Sequence, residues 1–223
     1  NYNNDDMEFY RNYDIPILDN RNQITERQIK EPIFDIKRLI ALSKVKYNDI
    51  RNIYFMGSRI YQTNNIESDF DFTIIAKSVI PEQTFTDSNY QVKVISIEKY
   101  TDDLNKNRFP TTEFRFLPDY AKIREDIKIL PPLKKQLLID STNEKIEFNL
   151  RLIKNYFKNK NNYYVIQKLI FHCFRILTFA IEIVQTGSIS DFTIGNKYYN
   201  LITKYDFKNY DEMIEIINPI LNE

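Results

Sequence analysis

The spacing of apolar residues divides the chain into a mixed first half and a helical second half. Between positions 32 and 45, apolar residues recur at helical spacing, which predicts an amphipathic helix. Three short runs, apolar or alternating, predict strands over Ile53–Met56, Phe70–Ala76 and Tyr90–Ile97. A short helix is expected directly afterwards, over Ile97–Leu104, and the polar stretch after Pro81 is expected to be a loop.

Helical patterns dominate the chain after Pro131 and Pro132. Ser141, followed three residues later by Glu144, has the spacing of a capping box and predicts the start of a helix. Gly187 is expected to end the longest apolar stretch. Four helices are therefore predicted, over 142–158, 161–186, about 195–205 and about 210–221.

These elements predict an α+β fold, in which a small mixed β-sheet with flanking helices precedes an all-helical subdomain. Three segments are expected: an N-terminal arm over 1–30, an α+β core over 31–130 and a helical C-terminal subdomain over 131–223. The arm is rich in asparagine and charge and shows little periodicity.

The composition excludes several classes of protein. The 223 residues are 43% apolar and 14% aromatic, so enough apolar surface exists to offset the entropy cost of folding, which excludes a disordered chain. Basic and acidic residues both number 31, and a net charge of zero argues against a protein that coats nucleic acid by charge alone. A net charge of zero still permits a local basic patch, for which the region around Lys154 and Lys158, with its interleaved tyrosines, is a candidate.

Cysteine usage and hydropathy bear on the compartment. One cysteine cannot form an internal disulfide, and one cysteine with one histidine cannot form a zinc cage. A reducing, cytoplasmic setting is the simplest interpretation, and no signal peptide is visible in the polar, acidic start. The most apolar window, Tyr163–Val184, holds four ionisable side chains, too many for a simple membrane span, so no membrane partner is expected.

One segment combines residues suited to phosphoryl chemistry. Gly57 and Ser58 follow a strand, where a tight turn exposes backbone N–H groups that suit phosphate oxygens. Asp69 and Asp71 are two residues apart on the next strand, so both carboxylates are expected on one face, where they could bind Mg²⁺. Arg59 adds a fixed positive charge beside the turn and is predicted to bind the phosphates of the nucleotide. The combination predicts chemistry on the triphosphate of an NTP.

Each part of this pattern also has a simpler explanation. Two aspartates separated by one residue on a strand more often form a solvated face or a turn than a metal site. Gly-Ser alone is ordinary turn chemistry. The functional interpretation depends on the combination of a strand, the Gly-Ser-Arg turn, and two aspartates at the start of an apolar strand.

The motif G-S-R-x-Y-x-T, followed by S-D-F-D, resembles the signature of the polymerase-beta-type nucleotidyltransferase superfamily. It is most similar to the predicted nucleotidyltransferases in which G-S-R-x-Y-G-T precedes S-D-x-D. Weaker likeness over Val94–Tyr100 and Ile170–Arg175 extends the resemblance to about residues 50–190.

This resemblance implies a small mixed sheet with flanking helices, two Mg²⁺ ions (or Mn²⁺) and an NTP donor. Carried over by position, Gly57 and Ser58 would contact the triphosphate, and Asp69 and Asp71 would bind the metal. The implied activity moves an NMP group to a hydroxyl acceptor. The resemblance leaves three kinds of acceptor: an RNA or DNA end, a protein or a small molecule. It specifies neither the preferred NTP nor the oligomeric state.

Two departures from the family pattern matter. Gln62 stands where many relatives have glycine, so the loop after Gly57 is able to follow a different path here. Active members usually supply a third carboxylate from the next strand, whereas the candidate positions here are Gln91 and Lys93, neither of them acidic. Glu98 and Glu113 are nearby in sequence, but Glu98 would lie past the end of the strand. Three functions therefore compete: an Mg²⁺-dependent nucleotidyltransferase, a catalytically impaired nucleotide-binding regulatory subunit, and an interaction domain with a relic site.

The long apolar helix carries a polar stripe. Its five polar side chains fall on one helical face: Lys168, His172, Arg175, Glu182 and Gln185. In one interpretation the stripe faces a cleft, and Lys168 and Arg175 reach the phosphates or the base of a nucleotide. In the other it is a solvent-exposed face, or Arg175 forms an internal ion pair with an acid of the core. Cys173 is expected to be a small core residue.

Overall fold

A computed structural model of the chain describes residues 35–65, 68–77, 81–159 and 162–221. Within these ranges the predicted α+β fold is confirmed, and the predicted N-terminal arm lies outside them. The elements are, in chain order, α1 (Ile36–Ser43), β1 (Ile50–Met56), β2 (Phe70–Ala76), β3 (Gln83–Asp87), β4 (Tyr90–Ser96), α2 (Ile97–Asn105), β5 (Lys122–Glu125), α3 (Lys135–Lys158), α4 (Tyr163–Thr186), α5 (Asn196–Ile202) and α6 (Tyr210–Leu221).

The five strands form one mixed sheet in the order β3-β4-β2-β1-β5. β1 pairs antiparallel with β2 and with β5, β3 pairs antiparallel with β4, and β2 runs parallel to β4. The central strands β1 and β2 are almost completely buried, which explains their nearly continuous apolar sequences. These two strands are therefore the most tightly enclosed part of the sheet. Because they pair antiparallel, the last residues of β1 lie beside the first residues of β2.

An aromatic cluster fixes the start of β2. The rings of Phe55 and Phe72 lie 5.3 Å apart, and the ring of Tyr90 lies 5.9 Å from both Phe70 and Phe72. Burial of one such ring contributes roughly 1.5–3 kcal/mol to folding. Because the Phe70 ring belongs to this cluster, the backbone on either side of Phe70 is held in place.

Helix α1 is attached to β4 and β3 through polar contacts. The Asp35 carboxylate caps the helix by accepting two backbone N–H groups of the first turn, at 2.9 and 3.2 Å. The Asp35 N–H donates to the Tyr90 hydroxyl at 2.7 Å, and Arg38 pairs with Asp87 at 2.8 Å. The side chain of Leu39 is fully buried. The amphipathic helix predicted here is confirmed within the described residues.

Two strands were not predicted. β3 occupies the polar stretch that was expected to be a loop, and only Phe85 among its five residues is partly buried. β5 is four residues long, and only Ile123 is buried. Both are edge strands, which need little apolar sequence because one side faces solvent.

The helix predicted over 142–158 begins earlier, at Lys135. Ser141 therefore lies inside α3, and its hydroxyl donates to the carbonyl oxygens of Asn107 at 2.7 Å and Leu138 at 3.1 Å. The predicted capping box is wrong because serine within a helix can bond a carbonyl of the preceding turn instead. The other three predicted helices are confirmed, and α4 ends at Gly187 as expected.

Helix α4 is the central helix of the second half. By length and composition it could cross a membrane, but more than half of its most apolar stretch is buried inside the protein, so it is weak evidence for a membrane span. It packs against α3 and α5. The buried apolar cluster around it consists of Ile153, Ile166, Ile170, Phe171, Phe174, Ile202, Phe207, Met213 and Ile217.

The chain divides into two compact units. The first contains the described residues as far as Glu98 together with Pro118–Lys128, and so holds the whole sheet. The second contains Lys99–Leu117 and the described residues from Ile129 onward, including α3 to α6. The Gly57–Asp71 segment and the polar stripe of α4 therefore belong to different units.

Candidate functional site

The turn after β1 is built on Gly57. Its φ of 84° lies in the left-handed region, which glycine adopts without the steric cost that other residues incur. The Gly57 carbonyl accepts the backbone N–H groups of Ile60 at 3.0 Å and Tyr61 at 3.3 Å, and the Ser58 carbonyl accepts that of Thr63 at 2.9 Å. Ile60 and Tyr61 are buried, so the turn is anchored while Gly57 and Ser58 keep part of their surface exposed.

The Asp71 carboxylate lies directly against this turn. Met56, the last residue of β1, is the register partner of Asp71 on β2. A Cβ placed on Gly57 would lie 2.6 Å from Asp71 Cγ and would overlap the carboxylate oxygen Oδ2. The glycine therefore creates the space in which an acidic group contacts the backbone of the turn.

The second predicted carboxylate, Asp69, precedes β2 and is exposed, whereas Asp71 is half-buried. Side chains alternate along extended chain, so the two aspartates lie on the side opposite the buried Phe70. Burial lowers the pKa of the Arg59 guanidinium, and the charges of both aspartates lie close enough to oppose that change. Gly57, Arg59, Asp69 and Asp71 are thus brought into one neighbourhood.

Arg59 contacts the residues on both sides of Asp69. Its Nη2 donates to the Ser68 carbonyl at 2.8 Å, and its guanidinium carbon lies 3.9 Å from the centre of the Phe70 ring. Burial lowers the pKa of the Arg59 guanidinium from its ordinary value, and the charges of Asp71 and Asp69 oppose that change. The charge predicted to meet a phosphate is therefore already engaged with protein groups.

Strand β4 places an amide beside Asp71. The parallel register pairs Asp71 with Gln91 and Thr73 with Lys93. Gln91 is exposed, and the Lys93 ammonium lies 2.9 Å from the carboxylate of Glu82. Of the two positions considered for a third carboxylate, Gln91 is the direct neighbour of Asp71, and an amide can neither carry negative charge nor accept a proton at neutral pH.

The two aspartates fit a metal ion that arrives with its ligand better than a resident one. Among the residues that the structure describes, no group of three His, Cys, Asp or Glu side chains could hold a metal ion. Mg²⁺ is commonly bound by one or two carboxylates and completes its shell with waters and substrate phosphates. Asp69 and Asp71 beside an anchored turn suit that arrangement.

Gln62 adopts a conformation typical of glycine. Its φ is 55°, in the left-handed region, although it carries a side chain. The loop therefore keeps the backbone geometry of a glycine at the position where a glycine was expected. The glutamine side chain leaves local strain there and does not force the loop into another conformation.

The polar stripe of α4 separates into distinct environments. Arg175 is buried, and its Nη2 lies 4.0 Å from Oε1 of Glu113, which is also fully buried. This is the internal ion pair that the sequence had left as an alternative. Glu182 is buried and accepts hydrogen bonds from the backbone N–H of Ser190 at 2.9 Å and from its hydroxyl at 2.5 Å. Lys168 is exposed, with its ammonium 4.9 Å from the centre of the Tyr164 ring.

Two titratable groups on α4 have strongly shifted pKa values. Burial lowers the pKa of the His172 imidazole well below its ordinary value, and the charges of Arg175, Lys168 and Lys145 lower it further. Burial raises the pKa of the Cys173 thiol to about 11, so the thiolate that a nucleophile needs is not formed at neutral pH. Cys173 is a core residue, as predicted.

Sequence reasoning missed the residues that brace Asp69. The Asn65 N–H donates to the Ser68 hydroxyl oxygen at 2.8 Å, and the Ser68 N–H donates to the Asn65 carbonyl at 3.1 Å. On the other side, the Phe70 N–H donates to the Asn89 carbonyl at 2.7 Å. The N-x-x-S spacing of Asn65 and Ser68 is a signal for such a local turn, whereas no local pattern marks Asn89.

Comparisons with known proteins found solved structures with partial likeness to this chain, among them the following two. The first is a nucleotidyltransferase-like protein from Exiguobacterium sibiricum, with 15% identity and a TM-score of 0.32, over 74% of this chain and 61% of that one. The second is the spectinomycin adenyltransferase AAD(9) from Enterococcus faecialis, with 14% identity and a TM-score of 0.29, over 76% of this chain and 97% of that one. No protein-family model and no curated protein matches the chain.

Proposed function

We propose that the site around Gly57, Ser58, Asp69 and Asp71 binds an NTP with Mg²⁺ and transfers its NMP group to a hydroxyl acceptor. The observation that carries this proposal is the contact between the Asp71 carboxylate and the Gly57 backbone at the end of β1. It combines a turn whose backbone N–H groups can donate to phosphate oxygens with a carboxylate that can hold the metal of the same triphosphate.

Each residue then has a defined task. The Gly57-Ser58 turn holds the β- and γ-phosphates through backbone N–H groups and the Ser58 hydroxyl. Asp69 and Asp71 hold the metal, which neutralises phosphate charge and aligns the acceptor with the α-phosphorus when bound. The acceptor oxygen bonds to that phosphorus, and the bond to the pyrophosphate leaving group breaks.

Removal of the acceptor proton is the weak point of this site. Gln91 stands beside Asp71 and cannot accept a proton, so the proton must pass to solvent or to one of the two aspartates. We therefore infer slow transfer. The same observation favours a second candidate function, in which the chain binds Mg-NTP as a regulatory subunit and does not turn it over.

The test has a binding arm and a turnover arm. Purified protein is titrated with each NTP in the presence of Mg²⁺, Mn²⁺ or EDTA, and is separately incubated with each NTP labelled at the α-phosphate and with RNA, DNA, protein and small-molecule acceptors. Metal-dependent binding with label transfer supports the transferase. Binding without transfer to any acceptor supports the regulatory subunit, and no metal-dependent binding contradicts both and leaves an interaction domain.

Two variants assign the site. Asp69→Asn and Asp71→Asn remove one metal-ligand charge each and should weaken Mg-NTP binding about 10- to 100-fold, as expected for the loss of a charged partner. Asp119→Asn is the matched control, because Asp119 is an exposed aspartate of the same unit outside the site. Equal affinities for all three variants would reject the assignment.

A further inference from the structure

We propose that Arg59 is a positioning residue that fixes the backbone around Asp69, and not a ligand of the nucleotide phosphates. This inference rests on the proposed function and refines it. The motif alone suggested the opposite, because an arginine beside a phosphate turn is expected to pair with phosphate.

The contacts of Arg59 bracket Asp69. The guanidinium donates to the carbonyl of Ser68, the residue before Asp69, at 2.8 Å. It stacks on the ring of Phe70, the residue after Asp69, at 3.9 Å. One planar group thus restrains both neighbours of an exposed carboxylate that has no burial of its own to hold it.

The stacking also decides which way the guanidinium is directed. Phe70 is buried in the aromatic cluster, on the side of β2 opposite Asp69 and Asp71. An arginine stacked on that ring lies across the strand from the carboxylates. From there the charges of the two carboxylates still act on it through space, against the effect of burial on its own pKa, but it is turned away from a phosphate bound at their side.

Further hydrogen bonds hold the residues Ser68 to Phe70. Together with the two contacts of Arg59 they form what we call the brace. Asn65 bonds the N–H and the hydroxyl of Ser68, and Asn89 accepts the N–H of Phe70. Arg59 is the member of this brace that comes from the Gly57 turn. It therefore couples the position of the turn to the position of Asp69, and both must be correct for one triphosphate and its metal to bind together.

A double-mutant cycle separates positioning from phosphate contact. Arg59→Met keeps an apolar chain over Phe70 but removes the donor and the charge. Through loss of the brace it should weaken Mg-NTP binding about tenfold in the wild-type background. In the Asp69→Asn background the same change should weaken Mg-NTP binding less than about twofold. If Arg59 acts by positioning Asp69, the effects of the two substitutions are not additive.

A phosphate ligand predicts a different pattern. The loss on Arg59→Met would then be the same in both backgrounds and would shrink from NTP to NDP to NMP, and that result would overturn the proposal. Arg59→Lys keeps the charge and one donor and should restore part of the affinity if the Ser68 bond matters. Arg51→Met is the matched control, since the Arg51 Nη1 also donates to backbone carbonyls, of Asn48 at 3.1 Å and Ile50 at 3.2 Å.

Hydrogen exchange provides a measurement that does not depend on nucleotide binding. If Arg59 restrains this segment, Arg59→Met should speed exchange of the Phe70 amide about tenfold or more, and Arg51→Met should leave it unchanged. If wild-type protein binds no NTP, the proposed function fails while this measurement still decides the role of Arg59. Unchanged exchange at Phe70 in Arg59→Met would contradict positioning.

Discussion

The Asp71 carboxylate occupies the space that the missing side chain of Gly57 leaves open. A Cβ on Gly57 would lie 2.6 Å from Asp71 Cγ and 2.7 Å from Asp71 Cβ, too close for real atoms. Glycine is therefore required there for two reasons, its left-handed backbone and this approach. Two parts of the chain that are 14 residues apart meet at this point because β1 and β2 pair in antiparallel register.

Gly57→Ala should be more destabilising than the same change at Gly187. Gly187 also has a left-handed backbone, with φ 82°, but nothing lies within 4 Å of a Cβ placed there. Gly187→Ala should cost about 1–2 kcal/mol from backbone strain. Gly57→Ala should add roughly 1–3 kcal/mol of overlap and should also weaken Mg-NTP binding. Urea unfolding of the two variants checks this, and equal losses of stability would contradict it.

Gln62→Gly should stabilise the protein. The left-handed backbone at Gln62 strains a residue with a side chain, and glycine relieves that strain while it adds entropy to the unfolded chain. The net gain should be on the order of 0.5 kcal/mol. Gln62→Ala keeps the strain and should bring no gain. A fall in the urea midpoint of Gln62→Gly would show that the side chain has a role of its own.

Gln91→Glu should add a third carboxylate beside Asp71. Gln91 is exposed, so the change in folding stability should stay within about 0.5 kcal/mol. The added negative charge should strengthen metal binding and provide a proton acceptor, so that Mg²⁺ or Mn²⁺ binding is detectable without nucleotide and label transfer becomes faster. Gln83→Glu, at another exposed position of the same sheet, is the control. No change in either measurement would mean that position 91 lies outside the metal site.

The success of sequence-based prediction followed the strength of local patterns. β2 was predicted to its last residue, since a central strand that is almost completely buried has a nearly continuous apolar sequence. β3 and β5 were missed because edge strands depend on hydrogen bonds to a neighbour and not on their own side chains. The start of α3 was misplaced because Ser141 can bond a carbonyl inside a helix as well as cap one.

The candidate site was predictable in residue type but not in role. The spacing of Gly57 and the two aspartates was sufficient to nominate them. The role of Arg59 depends on which face of β2 its guanidinium lies against. The stacking of the guanidinium on the Phe70 ring determines that face. Similarly, the partner of Arg175 is Glu113, which lies 62 positions earlier in a stretch without periodicity. Long-range pairs of this kind leave no local signal.

Glu113→Gln and Arg175→Met should each be strongly destabilising. The two side chains are buried, 4.0 Å apart at their nearest charged atoms, so removal of one leaves the other as a charge in a poorly solvated place. A loss of about 3–5 kcal/mol is expected for each single variant, and the double variant should lose less than the sum.

The exposed pair Arg151 and Glu147, 3.9 Å apart on α3, provides the control for this prediction. Glu147→Gln should cost less than about 1 kcal/mol, because water already solvates both charges. Urea unfolding measures all four variants. Additive losses for Glu113 and Arg175 would show that the two residues do not act as a pair.

The lone histidine should make folding stability depend on pH below about pH 6.5, the ordinary pKa of its imidazole. Burial, with Arg175, Lys168 and Lys145, lowers the pKa of His172 well below that value, so the unfolded chain takes up a proton at a higher pH than the folded chain does. Stability should therefore fall as the pH drops below about 6.5, by up to about 1.4 kcal/mol per pH unit. His172→Gln removes the group and should flatten this part of the curve. Because the chain has one histidine, urea unfolding at pH 5.0, 6.0 and 7.5 isolates its effect, and equal pH dependence in both proteins would contradict the assignment.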